Sequence, residues 1–166
     1  MDLDTALTGK PAEGASATEI LRADHQEARR LFDEYRNAGD DGHARGVIAQ
    51  SLCMQLELHD AIERDVFYPA LRSIDDAWAS HAMDVHAKIA AAVERVRLGA
   101  DAGGPLDDAV DALQSLVDEH VRDEEEHVFP KVDAQREFSS GELGRALIRR
   151  KEELTRSTES FEGPAT

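Results

Sequence analysis

His120-Val121-Arg122-Asp123-Glu124-Glu125-Glu126-His127-Val128-Phe129-Pro130 is the stretch on which the reading of this chain turns. Residues four apart on a helix stand on the same face, about 6 Å apart along the axis. His120 and Glu124 therefore present an imidazole and a carboxylate together. That is the reach of two ligands to one metal ion, or of one ligand each to two adjacent ions. The frame occurs a second time in His59-Asp60-Ala61-Ile62-Glu63-Arg64-Asp65-Val66-Phe67-Tyr68-Pro69, with Glu four after the His, an apolar pair, and Pro ten after the His.

The duplication reaches further along the chain. His59 precedes His120 by 61 positions, and His25 precedes His86 by the same interval. At that offset Glu63 falls on Glu124 and Pro69 on Pro130, while Phe32, Tyr35, Leu52 and Leu56 fall on Val93, Val96, Leu113 and Val117. The pattern predicts two related helical hairpins, each supplying one His and one His-xxx-Glu turn to a shared site. Each histidine lies on an apolar stripe: His25 with Phe32, His59 with Leu52, Leu56 and Val66, His86 with Val93, and His120 with Leu113 and Val117. Four imidazoles and two carboxylates inside an apolar bundle are costly to desolvate without a partner, and two divalent or trivalent cations are the natural one. Any one of these histidines alone reads as a hydrogen-bonded core residue; the duplicated set points to metal. Imidazole with carboxylate suits iron, zinc or manganese, and the lack of thiolates argues against a zinc ribbon.

Composition narrows the setting. At 166 residues, with 41% hydrophobic and 33% charged, the chain suits one soluble, helix-rich domain with a real core. A net charge of −16 argues against nucleic acid and against an anionic membrane surface as partners. The single Cys53, in an apolar stretch, has no internal disulfide partner and fits a reducing compartment. No run is long and apolar enough to span a bilayer, and Met-Asp-Leu-Asp at the start lacks the basic and apolar regions of a secretory signal. These features predict a cytoplasmic protein.

In chain order, residues 1–15 read as a flexible arm, residues 16–135 as the bundle, and residues 136–166 as a C-terminal helix and frayed tail. Ser16 and Glu19 can form a capping box ahead of a first helix whose pattern stops at Asn37-Ala38-Gly39. A second helix is predicted from about His43 to Phe67, with Pro69 at its end, then a connector with some helical character from Leu71 to Trp78. A third runs from about Ala79 to Leu98. Pro105, Asp107 and Asp108 suit the first turn of a fourth, which continues to Phe129 and is broken or kinked by Pro130. Ser139 and Ser140 can cap a shorter helix over about Glu142 to Thr155, packed outside the bundle or at a partner surface. No strand pattern occurs. The expected fold is all-α, an antiparallel up-down-up-down four-helix bundle with an extra C-terminal helix.

The order His25, His59-xxx-Glu63, His86, His120-xxx-Glu124, with Val66-Phe67-Tyr68-Pro69 and Val128-Phe129-Pro130, resembles the hemerythrin-like HHE cation-binding family over about residues 18 to 135. The resemblance implies a non-haem di-iron centre, with oxo or hydroxo and carboxylate bridges, on His25, His59, Glu63, His86, His120 and Glu124; zinc or manganese would be substitutes. The oxygen-carrying members have a fifth histidine, one turn from the third-helix ligand. Here the positions one turn either side of His86 are Ala82 and Ala90, and His81 is rotated off the face. An open coordination position tilts the reading towards sensing or redox chemistry in a stress response. The expected partner is a small diatomic or peroxide ligand, with homo-oligomerisation through the C-terminal helix. Peroxide-decomposing oxidoreductase activity, or iron storage without turnover, are the alternative functions.

Six further residues have side chains that could bear on the site. His127 reads as an outer or end-of-bundle residue, and Tyr35 and Tyr68 as core packing. Glu125, Glu126 and Asp123 read as a solvated acidic face from which one carboxylate could hydrogen-bond a ligand imidazole.

Overall fold

The computed structural model describes residues 14–138 and 141–161. The described chain is all helical: α1 Ala17–Asn37, α2 Gly42–Ile62, a π-turn Glu63–Phe67, α3 Tyr68–Asp101, α4 Asp107–Asp123, a second π-turn Glu124–Val128, α5 Phe129–Asp133 and α6 Glu142–Phe161. The capping box forms as expected: the Glu19 amide donates to Ser16 Oγ and the Ser16 amide donates to the Glu19 carboxylate. Asp41 caps α2 by accepting from the Ala44 amide. Asp107 and Asp108 open α4, where their charge meets the positive end of the helix dipole.

Both prolines act differently from the sequence reading. Pro69 does not end the second helix, and Pro130 does not break the fourth; each sits in the first turn of the helix that follows a π-turn. A proline lacks the N–H that an unbroken α-helix needs, and its ring crowds the carbonyl four residues back. Widening the turn relieves both. The Tyr68 amide reaches back five residues to the Glu63 carbonyl, and the Phe129 amide does the same to Glu124. The two π-turns lie 61 positions apart, so they belong to the same duplication as the ligand residues.

The connector expected over Leu71 to Trp78 is also helical. The break is confined to Asp75, whose φ of −152° and ψ of 82° are non-helical. Its Oδ1 accepts from the Trp78 amide at 3.0 Å, so Asp75 is the N-cap of the helical stretch that follows. The C-terminal helix is longer than expected and runs to Phe161. The predicted Ser139/Ser140 cap, most of the N-terminal arm and residues 162–166 lie outside the described residues.

Each of α1 to α4 packs against its neighbour in sequence, and α6 lies across α1, α2 and the first π-turn. Its apolar face is turned onto its own bundle, where Leu147 is fully buried. Two apolar clusters build the core. One holds Leu31, Phe32, Tyr35, Leu52, Val93, Val96 and Leu113; the other holds Ile20, Leu21, Ile62, Phe67, Leu71, Phe129 and Leu147. The buried polar layer falls between them. On α1, for example, His25 lies between Leu21 of one cluster and Ala28 of the other. No helix among the described residues is long and apolar enough to cross a membrane.

Candidate metal centre

All six residues predicted from the duplicated spacing meet in this layer, each at most 6% exposed. His25, His59, Glu63, His120 and Glu124 each offer a donor atom within 4.8 Å of the others, an arrangement that could hold a metal ion. His86 stands at the edge of this group. Its Nε2 is 3.1 Å from Glu63 Oε2 and 3.0 Å from His120 Nε2, and it turns towards Tyr68. Glu63 and Glu124 are fully buried, because the carboxylates point inward from the start of each π-turn.

Distance and direction part company here. His59 Nε2 is 3.2 Å from Glu63 Oε2, and His25 Nε2 is 3.3 Å from Glu124 Oε2. Yet His25 Nε2, His59 Nε2, Glu63 Oε1 and Glu124 Oε2 are buried without a hydrogen-bond partner. Buried polar atoms that approach this closely without bonding one another are costly unless a common partner satisfies them. A cation among them does so, and the residue types fit one: neutral imidazole and ionised carboxylate are ligands for iron, manganese or zinc.

The protons reflect the same crowding. Burial pushes Glu124 up to about 7, reinforced by the charge on Glu63. Glu63 suffers the same burial, but the charge on His59 and the close approach of the His120, His59 and His86 imidazoles outweigh it and hold the carboxyl well below the usual range. Burial drives His25 down to about 4, helped by the charge on His59. Burial also opposes charge on His86, but hydrogen bonds to Asp60 and Glu63 prevail and carry it to about 9. A cation entering at neutral pH therefore displaces protons, and its binding strengthens as pH rises.

The outer nitrogens of three imidazoles face carboxylates. His25 Nδ1 is 2.9 Å from Glu125 Oε1, His86 Nδ1 is 2.5 Å from Asp60 Oδ1, and His59 Nδ1 is 3.7 Å from Asp24 Oδ2. Such partners fix the ring and its tautomer so that Nε2 faces inward. The expectation that one carboxylate of the acidic run reaches a ligand imidazole holds for Glu125.

Tyr68 departs from the sequence reading, which placed it in core packing. Its hydroxyl donates to Glu63 Oε2 at 3.0 Å and to Glu124 Oε1 at 3.2 Å, and lies 2.6 Å from His86 Nε2. Burial and the charges of Glu124 and Glu63 push the phenol well above its ordinary value, so it stays protonated. The π-turn explains the miss: on an uninterrupted α-helix Tyr68, five after Glu63, would be rotated well off the Glu63 face. The usable signal was Pro69, a proline inside a helical pattern. Tyr68→Phe keeps the ring and removes only the hydroxyl. It is expected to lower the stability of the metal-free protein by about 1–3 kcal/mol in urea unfolding; an unchanged midpoint would mean that these contacts do not form in solution.

Tyr35 does sit in core packing, far from the site, with its hydroxyl on Asp107 and Arg45 over its ring. His127 is 61% exposed and paired with Asp123, so it lies outside the centre. His81 is exposed, as its rotation off the His86 face predicts. Cys53 is buried, and burial pushes its thiol up to about 11.

Next to the donors is an internal cavity of about 20 Å³, lined by the four histidines with Ala28, Leu56, Ile89, Val117 and Val121 among its apolar walls. That is room for little more than one water-sized ligand. Of the apolar-stripe residues that accompany the histidines, Leu56 and Val117 line it, while Phe32 and Val93 belong to the apolar cluster beyond. Outside, between α3 and α4, a cleft of about 450 Å³ is lined by Trp78, His81, Val85, Lys88, Leu116 and Arg122, among others. His120 lines both spaces.

Comparison with known proteins agrees with this geometry. The sequence matches the hemerythrin HHE cation binding domain over residues 16–132. The chain belongs to that family. It is also 23% identical over 125 residues to a protein described as a DNA nickase from Nostoc sp. (strain PCC 7120). That match covers 75% of this chain and 35% of the relative, so the chain spans about a third of the relative's length. No solved structure matches the chain. The hemerythrin HHE match ends before α6, which lies beyond the matched residues.

Proposed function

We propose that this hemerythrin-family chain is a cytoplasmic, non-haem di-iron protein that binds or reacts with oxygen, peroxide or nitric oxide in sensing or stress response. The helices are read as alternating up and down, with His25, His59, Glu63, His86, His120 and Glu124 holding two iron ions; manganese or zinc would fit the same donors. The observation that supports this most is the group of buried donor atoms that converge within 4.8 Å without bonding one another. When bound, the iron pair supplies electron exchange and Lewis acidity. The chain does the rest. Glu63 and Glu124 offset the cationic charge, Asp60 and Glu125 hold imidazoles in orientation, and the small apolar-walled cavity admits only a small ligand.

A second reading, turnover of peroxide, is favoured by Tyr68. Its O–H is a hydrogen-bond donor held at Glu63 and Glu124, beside His86, which lines the cavity. A net charge of −16 repels a polyanion and argues against DNA as a substrate of this chain.

Metal content and the optical spectrum of protein purified in air, before and after peroxide, test the two readings. About two irons per chain with a near-ultraviolet charge-transfer band are expected. A band that cycles while peroxide is consumed supports turnover, and a stable band with reversible ligand uptake supports a carrier or sensor. Zinc alone, or no metal, would overturn the redox proposal.

A further inference from the structure

Each carboxylate behind a site imidazole is itself tied to a cation. Glu125, behind His25, faces Arg29 Nη2 at 3.6 Å. Asp60, behind His86, accepts from Arg64 Nε at 2.8 Å. Asp24, behind His59, accepts from the Lys151 ammonium. The first two cations come from the same helical bundle as the imidazoles. The third comes from α6, beyond the family domain.

We propose that α6 is a working part of the metal centre: Lys151 holds Asp24 as the outer partner of His59 and so positions that imidazole towards the metal. This rests on the metal-binding reading above.

Several observations carry it. Asp24 is only 6% exposed, so its carboxylate depends on protein partners for its charge. Lys151 engages Oδ1, while Oδ2 and His59 Nδ1 face one another across 3.7 Å, both buried and otherwise without a hydrogen-bond partner. They are matched donor and acceptor, a small ring rotation from a hydrogen bond that would leave His59 Nε2 free to face inward. The docking of α6 is also specific. A Cβ on Gly144 would lie 2.2 Å from the Ala15 carbonyl oxygen, so only glycine lets α6 approach the start of α1 this closely. Arg150, one residue before Lys151, pairs with Asp65 in the first π-turn, which fixes the helix without touching a ligand imidazole. Lys151 is therefore a positioning residue, and Arg150 is its internal control.

The test compares wild type, Lys151→Met, Lys151→Arg and Arg150→Met by competition for ferrous iron against a chelator. It also follows the His59 Nδ1 proton by imidazole nitrogen NMR in the metal-free proteins. Lys151→Met is expected to weaken iron binding about tenfold or more, at the scale of lost outer-shell partners, and to shift the His59 signal. Lys151→Arg should recover most of the loss, and Arg150→Met should match wild type in both readouts. Wild-type binding in Lys151→Met, or an equal loss in Arg150→Met, would overturn the proposal, the latter because docking of α6 alone would then explain it. If wild type takes up no iron, the metal reading fails by itself. The NMR signal then decides the contact: a shift in Lys151→Met alone supports it, and its absence removes it.

Discussion

Glu63→Ala is expected to strip the centre of metal and to destabilise the fold even without metal. Glu63 is fully buried, with His59, His86 and His120 within 3.8 Å of Oε2 and the Tyr68 hydroxyl donating to the same oxygen. Removing it takes away a ligand and also the counter-charge of His59 and His86, whose proximity to Glu63 raises both imidazoles above their ordinary range. Loss of one partner of a buried charged group costs about 3–5 kcal/mol, which urea unfolding of the metal-free protein would read. Iron affinity should fall by more than about a hundredfold, beyond the range for outer-shell partners. Glu124→Ala should lose metal as well, with a smaller stability cost, since burial and the neighbouring charge already push that carboxyl towards neutrality. His43→Ala, at an exposed position on α2, is the control and should keep wild-type metal content. Two metals retained in both glutamate variants would remove these residues from the site.

Phe129→Ala is the second large effect expected. Phe129 is fully buried where the second π-turn gives way to α5. Its ring stacks on His25 with centroids 5.6 Å apart and planes 7° from parallel, meets Phe67 edge-on, and carries the Arg22 guanidinium on a face. Truncating a buried Phe costs about 3–5 kcal/mol. The cavity would also leave His25 without the surface that holds its ring, so iron content should fall along with the urea midpoint. Val47→Ala, 46% exposed on α2, should stay within about 0.5 kcal/mol of wild type. A Phe129→Ala protein as stable as wild type would mean that the π-turn holds its shape without the ring.

The convergence of the six candidate donors on one buried layer and the helical class were legible in the sequence because both follow from periodicity. A donor every fourth residue on an apolar stripe lands on the buried face whatever the neighbouring helices do. The duplication at 61 positions carried the rest, since a shared interval ties His25 to His86 and His59 to His120 across helices that no local pattern connects. Caps were legible for the same local reason, as at Ser16 and Glu19.

What the sequence could not settle was what a proline does inside a helix. Pro69 read as a helix end and Pro130 as a break or kink, yet each follows a widened turn that carries the chain from one helix into the next. That extra residue per turn set Tyr68 on Glu63 and His86, where α-helical arithmetic had rotated it away. Of the outer partners, the sequence offered only the acidic run that holds Glu125, without saying which imidazole it meets; Asp24, Asp60 and Lys151 lay beyond it. His25 and Glu125 are 100 residues apart, and Asp24 and Lys151 are 127 apart. Periodicity determined which side chains face inward and which residues could meet a metal. Only the packing of α6 and the two π-turns decided which charges and hydroxyls stand behind them, because hydrogen bonds between distant segments depend on angstrom placement that no local spacing encodes.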